Sequence, residues 1–160
     1  MRNSLLLLFS ILLFGFTSVY QINPSQVTSE RIQLDSIAAQ RQVHLDELMG
    51  LIAGKEDLPA EEVFTNIQQL NGRSAKTLLA IMNFGYSRSL GVSCEHCHNV
   101  NDWGSDEKVQ KQITREMSTM SAKINGELLA GIEGLQSVQP VINCTTCHRG
   151  QIKPALNLAR

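Results

Sequence analysis

The chain has no cysteine outside two short strings, one beginning at residue 94 and the other at residue 144. A disulfide network spread over its length is therefore excluded. Aromatic residues are scarce: one Trp, two Tyr and five Phe in 160 residues, and Phe9, Phe14 and Phe16 all fall at the extreme N-terminus. A domain so poor in large apolar side chains builds only a thin core from its own residues. No Gly-rich phosphate loop and no parallel-sheet pattern are present, which argues against a nucleotide-binding α/β domain. Neither sign of charge dominates, with 14 Lys and Arg against 15 Asp and Glu. That balance disfavours nucleic acid as a partner. No apolar run approaches the roughly 20 residues that span a bilayer.

The one concentrated apolar run is Leu5 to Phe16, preceded by Arg2 and followed by Thr17-Ser18-Val19-Tyr20. A basic start, a short hydrophobic stretch and small residues beyond it predict a signal peptide over residues 1–20. The expected location is periplasmic or otherwise exported, soluble after cleavage. An uncleaved N-terminus would instead give membrane association. Beyond residue 20 the balance is 13 basic against 15 acidic residues, a net charge of -2 with neutral histidines.

The two cysteine strings are Cys94-Glu95-His96-Cys97-His98 and Cys144-Thr145-Thr146-Cys147-His148. Each is C-x-x-C-H, the attachment pattern of a c-type heme. Thiols three positions apart lie on one side of a helical turn and can add to the two vinyl groups of one porphyrin. The histidine that follows supplies an imidazole nitrogen to the iron. Two C-x-x-C knuckles holding one zinc, or two disulfides, would also use four cysteines. Neither requires histidine after the second cysteine, so its double occurrence favours two covalent hemes. Cys94, Cys97, His98, Cys144, Cys147 and His148 are thus the candidate cofactor residues, with His98 and His148 on iron.

Apolar periodicity predicts a mostly α-helical chain. A leading helical segment runs from Val27 to Ala53 after a loop at Asn23-Pro24-Ser25, with Leu34, Ile37, Ala38, Leu45, Leu48 and Ile52 as its apolar face. A second helix is expected from Leu58 to Leu70 and a third from Ser74 to Leu90. Ser105 or Asp106 is the expected cap of a fourth, which carries a stripe of Val109, Ile113, Met117, Met120 and Ile124 and ends at Asn125-Gly126. Val138 to Ile142 reads as extended. The domain reading is a signal peptide (1–20), a leading helical segment (21–57) and a diheme domain (58–160).

Each iron has a sixth position to fill. Met82 lies 12 residues before Cys94, with Gly85 on a neighbouring face where a flat ring could approach. Met117 and Met120 lie 27 and 24 residues before Cys144. A helical methionine is commonly a packing residue, so spacing alone leaves these assignments open. No histidine stands between His98 and His148, and a bis-histidine second heme would draw on His44 or His96. His96, inside the first spacer, reads as an exposed filler. Arg149 and Lys153 flank the second motif and could pair with propionates or simply face solvent.

The stretch from Phe64 to Pro154 resembles the cytochrome c subunit of photosynthetic reaction centres and its non-photosynthetic diheme relatives. The resemblance is carried by Asn66-Ile67-Gln68-Gln69-Leu70, Met82, Leu90-Gly91-Val92 before Cys94, and Cys97-His98-Asn99. Arg115-Glu116-Met117-Ser118-Thr119-Met120, Ile124-Asn125 and the final Cys147-His148-Arg149-Gly150-Gln151 complete it. The resemblance implies a methionine ligand from the helix before each heme: Met82 for the heme on His98, and Met117 rather than Met120 for the heme on His148. The photosynthetic subunit resembles two such pairs in tandem, whereas this chain holds one pair.

The resulting expectation is a small multi-helix domain packed around two hemes c, with few or no strands. It would carry single electrons between redox proteins, membrane-bound respiratory or photosynthetic components among them, with no nucleic acid and no small-molecule substrate. The alternative is a peroxidase-like diheme enzyme with one open iron.

Overall fold

A computed structural model describes residues 23–154 and 156. The expected signal peptide lies outside them. The chain divides into two compact units, residues 1–31 and 32–160. The second unit contains both cysteine motifs.

The described residues form helices and no named strand. Helix α1 spans Pro24–Leu51. It begins at the segment expected to be a loop, because Asn23 acts as its cap: Oδ1 of Asn23 accepts from the Ser25 backbone N–H at 3.2 Å and the Ser25 hydroxyl at 2.7 Å, and proline suits the first helical position. Only the end of the helix is buried. Leu34 stays exposed, whereas Leu48 and the following Ile52 are buried against Ala75 and Leu79, with Leu45, Val63, Phe64 and Trp103 packed around them.

The helix expected over Leu58 to Leu70 shrinks to α2, Ala60–Val63. From Phe64 onward the chain is irregular, and Asn66 and Leu70 adopt positive φ values of 58° and 65°. The backbone leaves the helix because its polar side chains serve other elements. Asn66 Nδ2 donates to the Gly104 carbonyl at 2.7 Å, and Gln69 Nε2 donates to the Arg115 carbonyl at 3.0 Å.

Helix α3, Ala75–Ala80, is capped by Ser74, whose hydroxyl accepts from the Thr77 N–H. It continues as a π-helical segment, Ile81–Ser87, and as a final α-turn, α4, Arg88–Leu90. Gly91 ends it at φ 68°. The first motif follows as a 3₁₀ turn, Cys94–His96.

Helix α5 spans Val109–Lys123 and starts after Lys108, later than the expected caps at Ser105 or Asp106. Nor does it stop at Asn125-Gly126, since a second π-helical segment, Ile124–Leu128, extends it. Asn125 instead anchors the return chain: its side chain accepts from the Ile142 N–H at 2.8 Å and donates to the Ile142 carbonyl at 2.9 Å. Residues 138–142 form no strand. Helix α6, Cys144–His148, is the second motif, opened by a capping box between Asn143 and Thr146.

Candidate heme-attachment sites

The first site is built by five parts of the chain converging on one cavity of about 440 Å³. The end of α1 contributes Arg41, Leu45 and Leu48, and the irregular run from Phe64 to Leu70 forms a second wall. Met82 and Tyr86 come from the π-helical segment. Cys94, Cys97 and His98 come from the motif, and Lys111, Thr114 and Arg115 from α5. The sequence-predicted Met82, Cys94, Cys97 and His98 therefore share one cavity. A π-helical turn holds one residue more per turn than α geometry and occurs often at functional sites. Here it carries both Met82 and Tyr86. Gly85 is not among the lining residues, and a Cβ there would meet only Ile81 at ordinary contact distance.

His98 is oriented from behind. Its Nδ1 lies 3.3 Å from the Trp103 carbonyl, which fixes the N–H on Nδ1 and leaves Nε2 as the free ligand atom. The indole of Trp103 also packs on the imidazole, ring centroids 5.4 Å apart. Burial pushes the His98 pKa down, which favours the neutral, ligating form. Burial likewise raises the Cys94 and Cys97 thiols. The Cys97 sulfur sits 3.8 Å from the Thr114 hydroxyl of α5.

The second site repeats this device. His148 Nδ1 lies 3.0 Å from the Gln151 carbonyl, again leaving Nε2 free. Burial raises the Cys144 thiol, while Cys147 is exposed. The motif is held against the first site's approach segment: the Ser89 and Thr145 hydroxyls are 2.6 Å apart, and the Gly150 N–H donates to the Ser89 carbonyl at 2.9 Å. Tyr86 lines the first cavity, its hydroxyl 2.7 Å from that of Ser118, and burial pushes its phenol up.

Met117 and Met120 do not line the first cavity. Both are exposed, with relative accessibilities of 37% and 45%, in a stripe with Val109 and Ile113. An exposed apolar stripe on a helix marks a surface able to take a further apolar partner. Arg149 and Lys153 are also exposed.

His44 lies with the first motif rather than the second. Its Nε2 is 3.2 Å from the Glu95 carboxylate and its Nδ1 3.3 Å from that of Glu47, with the ring edge-on to Trp103. Both nitrogens are thus engaged. His96 is half-buried rather than an exposed filler. All four thiols are unpaired, and among the described residues no group of three or more His, Cys, Asp or Glu side chains is arranged to hold a metal ion.

Sequence reasoning missed the cationic cluster beside His98. Lys111 Nζ donates to the carbonyls of Trp103, Gly104 and Ser105 at 3.1, 3.1 and 2.8 Å. It also pairs with Asp106 at 3.2 Å, which Arg115 holds at 2.9 Å. The Arg115 contact, helped by Asn66 and Lys111, keeps the Asp106 carboxyl far below the usual carboxylate range. Lysine on a helix carries no signal of three backbone acceptors supplied by a preceding loop.

Residues 24–158 match the family described as the photosynthetic reaction centre cytochrome C subunit. The chain belongs to that family. Cytochrome c-554 of Chloroflexus aurantiacus is 32% identical over 99 residues, covering 62% of this chain and 23% of that protein. The photosynthetic reaction center cytochrome c subunit of Rubrivivax gelatinosus is 32% identical over 116 residues, covering 64% and 29%. That of Thermochromatium tepidum is 27% identical over 99 residues, covering 59% and 22%. This reaction centre cytochrome relative thus spans less than a third of the length of each of these three proteins. Its mostly helical, strand-free described portion agrees with the fold expected from sequence.

Proposed function

We propose that the protein is an exported diheme cytochrome c that passes single electrons between redox proteins. Covalently bound heme c is what the family implies, and its iron supplies the one-electron couple. In this reading Cys94 and Cys97 hold one heme, with His98 and Met82 on its iron. Cys144 and Cys147 hold the other, with His148 and Met117. The observation that carries the reading is the shared setting of His98 and His148. Each follows its cysteine pair, and each presents Nδ1 to a backbone carbonyl and keeps Nε2 for a metal. The protein's own contribution is to bind and orient the ligands, to exclude water from the first cavity and to let the iron change oxidation state with little rearrangement.

Residues 1–20 act as the signal, 21–57 as a leading helical segment and 58–160 as the diheme domain. Among the described residues no helix is long and apolar enough to cross a membrane. The donor and acceptor are redox proteins, membrane-bound respiratory or photosynthetic components among them.

A second reading, a redox enzyme with one open iron, is favoured by the exposure of Met117 and Met120. Electron paramagnetic resonance and carbon monoxide binding on the matured protein separate the two. Two low-spin ferric signals and no carbon monoxide adduct support the carrier. A high-spin signal or ready carbon monoxide binding supports the enzyme.

A further inference from the structure

We propose that Lys111 and Asp106 form an opposed pair of positioning residues that set the reduction potential of the first heme through the carbonyl of Trp103. This rests on the reading that His98 ligates a covalently bound iron. Two donors meet the same oxygen: His98 Nδ1 at 3.3 Å and Lys111 Nζ at 3.1 Å. The Lys111 side chain is 11% exposed and is fixed from several sides, by the carbonyls of Gly104 and Ser105 and by Asp106.

An acceptor shared with an ammonium is a weaker acceptor for the imidazole. A weaker hydrogen bond at Nδ1 leaves less negative charge on the ring, and a less electron-rich ligand favours ferrous iron. The ammonium's own charge acts with the same sign in a partly desolvated setting. Asp106 acts against it. Its carboxylate, half-exposed at the outer side of the cluster, neutralises part of the Lys111 and Arg115 charge. The two residues therefore push the couple in opposite directions, although both hold the same loop, residues 103–106, in place. A purely structural role would give both variants the same sign, since loosening the loop admits water to the iron either way.

The test is a redox titration of the full matured chain carrying Lys111→Met or Asp106→Asn. The first-motif couple is assigned as the one lost in a Cys94→Ala/Cys97→Ala variant. Lys111→Met is expected to shift that couple about tenfold toward the ferric form, which is about 59 mV for one electron. Asp106→Asn is expected to shift it toward the ferrous form, with the second couple unchanged in both. No shift, or shifts of the same sign, overturns the proposal while the heme reading stands. If Lys111→Met fails to fold, the sign of the Asp106→Asn shift decides alone. Wild-type protein with no heme on the first motif would instead remove the reading beneath it.

Discussion

His98 and His148 each give one ring nitrogen to a backbone carbonyl, and under the proposed diheme reading each iron would take a second protein ligand. Met82, in the wall of the first cavity, and Met117, on the stripe of α5, are the proposed ligands. Met82→Ala and Met117→Ala should each lower one midpoint potential, on the order of 100 mV within the roughly 0.8 V that axial ligands command. Met120→Ala should leave both potentials in place and change stability by no more than about 0.5 kcal/mol, as for other exposed positions. Redox titration and urea unfolding check these outcomes. Asp106 gives a pH signature. Its folded pKa lies below its ordinary 3.8, chiefly through Arg115. Its stabilising contribution is therefore complete above the ordinary value and is lost as pH falls through the folded one. The difference in urea midpoint between wild type and Asp106→Asn should be constant near neutrality and shrink below about pH 4.

At the scale of elements, the motifs and the broad helical class were legible, and the irregularities were not. C-x-x-C-H spacing is set by covalent chemistry, which needs no tertiary context. Periodicity found the long runs of α1 and α5 from their i, i+3, i+4 apolar spacing, although only the end of α1 is buried and the α5 stripe stays exposed. It overextended the helix after Leu58, since Ile67 and Leu70 keep helical spacing although Asn66 and Leu70 turn to positive φ. The backbone there follows long-range bonds to Gly104 and Arg115, which no local pattern encodes. The π-helical turn through Met82 was equally hidden, because its wider hydrogen-bonding pattern has no signal in apolar spacing. That segment is fastened to α5 by the hydrogen bond between Tyr86 and Ser118. Tyr86→Phe should cost about 1 kcal/mol in urea unfolding, as one half-buried hydroxyl loses its partner.

Across the whole described structure, the two motifs are not independent beads. The approach to the first, through Ser89 and Gly91, is the surface on which the second is held, through Thr145 and Gly150. Gly91 lies close against Gly150. It adopts φ 68°, and a Cβ there would lie 2.0 Å from the Gly150 carbonyl oxygen. Gly91→Ala should therefore destabilise the domain by about 2 kcal/mol or more, combining backbone strain with a clash. Thermal or urea unfolding of the holoprotein checks this, and a neutral result would mean the motifs are not locked together there. The scarcity of aromatic side chains fits the same picture. Few large buried residues are present, and Ile52 is the largest fully buried side chain among those described.

The most direct test of the account is the intact mass of the exported, matured protein under denaturing conditions, where thioether-linked groups stay attached. The account predicts the mass of the processed chain plus two hemes, falling by one heme when Cys144 and Cys147 are replaced by alanine. A mass equal to that of the bare processed chain would contradict it.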